Sequence, residues 1–167
     1  MEEEDDVCDL FVKKNDFFQR LQEFREKKEM IDVKIKIGNE VFDAHRVVLA
    51  TASPVLKTLL SEQWSKNEFC ESVCELDGNF IDPEIVNDLL DFVYTGKVRF
   101  TSHNVHSLCI AADFLQISSL LSGSEQNLCD RISTANVIKL FIFSITVQLE
   151  KLKKKCSQFI GENSEIL

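Results

Sequence analysis

The hydrophobic pattern of this chain changes from helical to alternating and back again, and that change constrains the fold more than any other feature. Between Ile31 and Ile37 apolar side chains alternate with Asp and Lys, and Gly38-Asn39 separates this run from residues 40–43. Alternation before a two-residue turn, with a second short run after it, predicts a β-hairpin with one buried face. Because apolar residues at helical spacing precede and follow the hairpin, the chain is predicted to be α+β, a small mixed sheet flanked by clustered helices.

Start and stop signals divide the helical parts of the chain. A first helix is predicted from Asn15, and a capping residue followed by proline starts two others at Ser53-Pro54 and Asp82-Pro83. The helix after Pro83 is expected to end at Gly96. The remaining predicted elements are a loop at 61–71, strands at 72–76 and 97–101, a helix capped by Ser102, a helix at 117–129 weakened near Gly123, and a C-terminal helical pair beyond Thr134.

Charge excludes two classes of partner. The 167 residues carry 28 acidic and 19 basic side chains, a net charge of −9. Six of the acids lie in the first nine residues, which contain no base, so the rest of the chain carries only −3. Without a basic excess, neither a nucleic acid nor an anionic membrane is an expected partner. The acidic start is the opposite of a signal peptide, so a cytoplasmic or nuclear location is expected, with the six cysteines as free thiols.

The residues offer little chemistry for catalysis. His103, His106 and Cys109 are spaced to share part of a helix face, but no second cluster completes a zinc site. The chain has no glycine-rich phosphate loop and no nucleophile elbow, and a Cys–His pair assembled in space has no support from spacing. The lysines at 151, 153, 154 and 155 are interpreted as a solvated helix face. No catalytic, metal or cofactor site is predicted, and the chain is not expected to be an enzyme.

Three blocks of sequence resemble the BTB/POZ domain. They are Asp32-Val33 followed by Phe-Asp-Ala-His-Arg-Val-Val-Leu-Ala at 42–50 and Ser53-Pro54, then Leu-Asp-Phe-Val-Tyr-Thr-Gly at 90–96, then Ala-Ala-Asp-Phe-Leu-Gln at 111–116. Residues 131–162 resemble the start of a BACK domain, the helical pair beside BTB in kelch-like proteins. The predicted division is therefore an acidic tail with a possible swapped strand at 1–14, a BTB/POZ domain at 15–130 and a partial BACK (3-box) extension at 131–167.

The resemblance implies a homodimer. Such domains pack their first helix against its twin, which makes the apolar side chains of that helix interface candidates, although they could instead pack on their own domain. An extra N-terminal strand at 7–12 could pair with 97–100 of the partner. Asp32 and Arg46 match a buried charged pair near the dimer floor, with a plain structural salt bridge as the alternative. The predicted interface residues are Leu10, Val12, Phe17, Phe18, Leu21 and Phe24.

The resemblance also implies a partner. Kelch-like relatives bind cullin-3 through a hydrophobic residue, any residue, then Glu, after the helix that starts here at Ser53-Pro54. The aligned place reads Trp64-Ser65-Lys66, so Lys replaces Glu, and Phe69-Cys70-Glu71 satisfies the pattern later in the chain. The predicted cullin-binding residues are Leu59, Leu60, Trp64, Lys66, Phe69 and Tyr94.

Two functions follow from the resemblance. The first is a homodimeric adaptor that recruits cullin-3 and an unidentified substrate protein in a ubiquitin ligase; the BACK-like helices favour it. The second is a dimerisation or transcriptional-regulator scaffold that does not bind cullin, or a competitor of longer BTB proteins; Lys66 favours this alternative.

Overall fold

A computed structural model describes residues 14–64 and 72–163. Its elements follow the predicted order except after Gly96, where no strand forms between the helices. In chain order they are α1 Lys14–Glu26, β1 Val33–Ile37, β2 Glu40–Ala44, α2 Arg46–Ala52, α3 Pro54–Trp64, β3 Ser72–Leu76, a 3-10 turn Pro83–Ile85, α4 Val86–Thr95, α5 Val105–Phe114, α6 Ser118–Asp130, α7 Val137–Thr146 and α8 Glu150–Glu162.

The sheet has the strand order β2-β1-β3. β1 is antiparallel to β2, with Val33 opposite Ala44 and Ile37 opposite Glu40, and it is parallel to β3. Every second residue of β1 is buried, which confirms the alternation read from the sequence. Gly38 in the hairpin turn has a φ of +58°, a conformation that glycine adopts without a steric penalty. The predicted small mixed sheet is therefore present.

The predicted helix boundaries at the two Pro signals are confirmed by hydrogen bonds. The Ser53 hydroxyl accepts the Leu56 N–H at 3.1 Å and donates to the Leu115 carbonyl at 2.6 Å. The Asp82 carboxylate accepts the Glu84 N–H at 3.0 Å. Gly96 ends α4 in the left-handed region, with φ at 70°.

The strand predicted at 97–101 is wrong for the described part of the chain, because the side chain of Asn104 occupies backbone groups that a neighbouring strand would pair. Its amide oxygen accepts the Thr101 N–H at 2.8 Å, and its amide nitrogen donates to the Arg99 carbonyl at 3.0 Å. Asn104, and not the predicted Ser102, stands directly before α5.

Two further local predictions are corrected. Helix α3 continues to Trp64 through the start of the predicted loop. Helix α6 runs through Gly123 without interruption. A β-carbon at this position would stand 3.6 Å from the Phe100 ring, which is an ordinary packing distance.

Two hydrophobic clusters fill the interior. The first joins the sheet to α2, α3, α4 and α5, and the second joins α5 and α6 to the C-terminal pair α7 and α8. Phe100 and Leu121 contact both clusters, so the helical pair is continuous with the core of the sheet domain. Within the described ranges, no helix has the length and apolar character needed to cross a bilayer.

Candidate protein-interaction surface

One side of α1 is anchored to α4 by polar contacts. The Arg25 guanidinium donates to the Asp91 carboxylate at 2.8 Å and stands over the Tyr94 ring, 5.4 Å from its centre. The Gln22 amide donates to the same carboxylate at 3.2 Å. Leu21 packs against the first core cluster. This side of the helix therefore belongs to its own domain.

Beside these anchoring residues, α1 carries aromatic rings that project into solvent. Phe17 is 59% exposed, Phe18 and Phe24 are each 37% exposed, and the Phe17 and Phe18 rings meet edge to face with centres 5.8 Å apart. Val47 on α2 is 69% exposed. A groove of about 270 Å³ between α1 and α2 is lined by Phe17, Phe18, Leu21, Val47, Val48, Thr51, Ala52 and Val93. We call Phe17, Phe18, Phe24, Val47 and this groove the α1–α2 apolar face.

The sequence left open whether the apolar residues of the first helix contact a partner or their own domain. In the structure they fall into two groups. Leu21 packs on its own core, whereas Phe17, Phe18 and Phe24 are exposed. A contiguous apolar patch of this kind marks an interaction site on a protein surface. Leu10 and Val12, predicted for the same interface, lie outside the described residues.

Asp32 and Arg46 come together at the mouth of an open cleft of about 460 Å³ that Lys57 also lines. The Asp32 carboxylate accepts the Arg46 backbone N–H at 2.7 Å, and the Arg46 guanidinium donates to the Leu60 carbonyl. In the single chain Asp32, which precedes β1, is exposed to the cleft and Arg46 is half-buried. Burial of the pair at a dimer floor stays a prediction.

Two residues predicted to bind cullin are part of the core. Tyr94 is 0% exposed, and its hydroxyl accepts the His45 backbone N–H at 2.8 Å and lies 2.7 Å from His45 Nδ1. Burial raises the pKa of Tyr94 to about 12. Leu60 is 3% exposed, with its carbonyl bonded to Arg46. Neither side chain can reach a partner in this conformation, so both predictions are corrected.

The other residues predicted for cullin binding have different outcomes. Leu59 is half-buried and packs against the first core cluster. Trp64 ends α3, and its side chain lies outside the described part, as do Lys66 and Phe69. Their role in binding stays a prediction.

His103 lies before α5, and His106 and Cys109 lie on it. His103 is exposed, while His106 packs edge to face against Phe143 with centres 4.9 Å apart, and burial lowers its pKa. Cys109 is fully buried, which raises its pKa to about 12. Among the described residues, no three His, Cys, Asp or Glu side chains are grouped to hold a metal ion.

Sequence reasoning missed an exposed apolar stripe on α7. Ile138, Ile142 and Ile145 are 50%, 59% and 52% exposed and recur at helical spacing. They lie opposite the buried Val137 and Leu140, so α7 is apolar on two sides. The spacing was visible in the sequence, but it could not show which of two apolar stripes faces the core.

Comparison with known proteins agrees with this geometry. The BTB/POZ domain family matches residues 21–132. Kelch-like protein 8 of Caenorhabditis elegans is 31% identical over 126 residues, 75% of this chain and 18% of that protein. Kelch repeat and BTB domain-containing protein 1 of cowpox virus (strain GRI-90 / Grishak) is 30% identical over 141 residues, 84% of this chain and 24% of that protein. The chain thus spans about a fifth to a quarter of the length of these relatives.

A solved structure extends the agreement to the fold. The BTB domain of zebrafish PATZ1 superimposes with a TM-score of 0.61 at 26% identity, covering 73% of this chain and 98% of that domain. The chain belongs to the BTB/POZ domain family, whose fold is a protein-interaction domain.

Proposed function

We propose that this protein-interaction adaptor forms a homodimer through the α1–α2 apolar face and recruits cullin-3 to a substrate protein. The observation that carries the dimer is the exposure of three phenylalanines on a helix that Gln22 and Arg25 anchor to α4. Fully burying one such side chain is worth about 1.5–3 kcal/mol, so a twin face has a clear driving force. Anchoring by Arg25 presents the rings in one orientation, which lowers the entropic cost of association.

Mutation of the apolar face tests the homodimer. Two copies with different affinity tags are expressed together, and capture of one copy is expected to recover the other. Phe17→Ser combined with Phe24→Ser in both copies is expected to abolish this recovery. Phe80→Ser is the matched control, because Phe80 is 47% exposed and lies outside the face. Equal recovery with the double variant and with wild type would contradict the proposed interface.

Recruitment of cullin-3 is supported by the kelch-like resemblance and by the position of the C-terminal helices. Helices α7 and α8 pack on α5 and α6 through buried side chains that include Val105, Leu128, Leu140 and Leu152. The pair therefore widens the surface of the domain, as a BACK extension does in the kelch-like arrangement. Plain dimerisation through α1 does not need these helices.

Lys66 favours the second candidate, a dimerisation or regulator scaffold that does not engage cullin. Where the kelch-like pattern has a carboxylate, this chain has a cation. Losing a charged hydrogen bond typically costs about 1.5–3 kcal/mol. A cullin complex of this chain would then depend on apolar contacts such as those of Trp64.

Calorimetry with the N-terminal domain of cullin-3 separates the two candidates. The adaptor proposal expects measurable heat at tens of micromolar protein. Trp64→Ala is expected to weaken binding by about 2 kcal/mol if Trp64 is a hot spot. Lys66→Glu, which restores the pattern, is expected to tighten it, and Lys57→Glu on the exposed face of α3 is the charge-matched control. Absence of heat for both wild type and Lys66→Glu would leave the scaffold as the function.

A further inference from the structure

Helices α6 and α8 lie side by side, and three polar contacts join them. The Glu125 carboxylate accepts the Leu152 backbone N–H at 3.0 Å, and the Lys151 ammonium donates to the side-chain oxygen of Gln126. Further along both helices, the Lys155 ammonium lies 3.9 Å from the Asp130 carboxylate. Because the contacts advance along both helices in the same direction, the helices run parallel.

The same register places two thiols at corresponding positions of the two helices. Cys129 lies four residues after Glu125, and Cys156 lies four residues after Leu152, so each is one turn beyond the partners of the first contact. Both are free and belong to the second hydrophobic cluster, with exposures of 6% and 0%. Burial raises the pKa of Cys156, and the charge of a Cys129 thiolate would raise it further, which agrees with close approach.

We propose that Cys129 and Cys156 form a redox pair that a peroxide converts to a disulfide, joining α6 covalently to α8. The Cys129 thiolate attacks one oxygen of hydrogen peroxide, the O–O bond breaks, and Cys129 becomes a sulfenic acid as hydroxide leaves. The Cys156 thiolate then attacks the Cys129 sulfur, the S–O bond breaks, and a second hydroxide leaves. The two thiol protons convert both hydroxides to water, so two thiols and one peroxide give one disulfide and two waters.

Cys129 is the thiol that reacts first. It is the more exposed of the two, and Lys155 and Lys151 lower its pKa against the larger effect of burial, while Glu125 and Asp130 raise it. Because its pKa stays above the ordinary value, little thiolate is present near neutrality. The oxidation is therefore slow at pH 7 and accelerates as the pH rises, by up to about tenfold per pH unit while thiolate is the minor form.

The disulfide has a structural consequence that does not depend on cullin binding. It closes a loop that contains all of α7 and holds the C-terminal helical pair on the BTB/POZ domain. Closing such a loop restricts the unfolded chain, so the oxidised protein unfolds at a higher temperature, by several degrees. Oxidation and reduction would thus set how firmly the α7–α8 surface is attached.

Peptide mapping tests the pair. The full chain is treated with hydrogen peroxide between pH 7 and pH 9, blocked with N-ethylmaleimide, digested without reductant and analysed by mass spectrometry. The expected product is a linked peptide pair containing Cys129 and Cys156, formed faster at higher pH and released by dithiothreitol. Cys129→Ser and Cys156→Ser are each expected to abolish it. Cys109→Ser, in the same core, is expected to leave it unchanged.

Three outcomes would overturn the proposal. In the first, N-ethylmaleimide still blocks both thiols after treatment at pH 9. In the second, Cys129 accumulates as sulfinic acid while Cys156 stays reduced. In the third, either thiol forms a disulfide with another cysteine. The melting temperature provides an independent check, since peroxide is expected to raise it in wild type and in Cys109→Ser but not in Cys156→Ser. An equal rise in Cys156→Ser would also contradict the pair.

Discussion

At the scale of single residues, His45 organises the junction between α1, the sheet and α4. Its Nε2 lies 2.9 Å from the Glu29 carbonyl, which can only accept, so Nε2 carries the hydrogen. Its Nδ1 then accepts from the Tyr94 hydroxyl, which in turn accepts the His45 backbone N–H. One buried side chain therefore joins the segment after α1 to α4 through hydrogen bonds at both ring nitrogens.

Tyr94→Phe tests this junction. Removing the hydroxyl leaves the buried His45 N–H and Nδ1 without their partner, so unfolding in urea is expected to require about 1–3 kcal/mol less free energy. Thr58→Ala is the control, because the Thr58 hydroxyl is exposed and bonds only the Pro54 carbonyl one turn earlier. A loss for Tyr94→Phe no larger than that for Thr58→Ala would contradict the account of the junction.

The residue scale is also where sequence reasoning was least successful. Tyr94 is one helical turn after Leu90 and shares its buried side, as the helical period predicts. The kelch-like resemblance instead assigned Tyr94 to a contact with a partner. The resemblance implied that Asp32 belongs to a buried pair, whereas it is exposed in the single chain. Burial of a residue at the end of a strand depends on neighbours that the strand pattern does not specify. Long-range contacts decide both residues.

At the scale of elements, local signals were sufficient for most boundaries. The hairpin register follows from the β1 alternation and its two-residue turn, and the starts after Ser53 and Asp82 follow from side-chain caps. The strand expected at 97–101 does not form because the Asn104 side chain binds backbone groups of this segment, a contact that no periodic pattern predicts. On α7 two apolar sides fit the same helical period, and the period alone does not show which side is exposed.

Two glycine substitutions with opposite expected effects on stability test the helix ends. Gly96 has a φ of +70°, so Gly96→Ala forces a β-carbon into the left-handed region and is expected to cost about 1–2 kcal/mol. Gly161 lies within α8 with open space at its β-carbon position, so Gly161→Ala is expected to stabilise by up to about 1 kcal/mol. Thermal unfolding should move the two midpoints in opposite directions. A shift of the same sign in both variants would contradict the assigned α4 terminus.

At the scale of the whole molecule, two hydrophobic clusters share side chains and form one body. Phe100 and Leu121 contact both clusters, and α5 contributes Leu108 to the first and Cys109 to the second. Since neither cluster can lose its packing without exposing these shared residues, we expect the BTB/POZ part and the C-terminal helical pair to unfold together.

Leu152→Ala tests this cooperativity. Leu152 is 0% exposed in the second cluster, so truncation is expected to cost about 2–5 kcal/mol. Trp64, the only tryptophan in the chain, ends α3 in the part built around the first cluster. Its fluorescence and the circular dichroism of the helices are expected to change at the same urea concentration in the variant. Loss of helix signal before any change in tryptophan fluorescence would show that α7 and α8 unfold separately.

The proposed homodimer depends on the α1–α2 apolar face. The mass of the unmodified protein in solution tests the homodimer most directly. Light scattering on a size-exclusion column at tens of micromolar protein is predicted to give twice the chain mass of 19.1 kDa, because exposed Phe17, Phe18 and Phe24 become buried against a twin face. A mass of one chain throughout that concentration range would contradict the homodimer, and with it the proposal that this face is an interface between two copies.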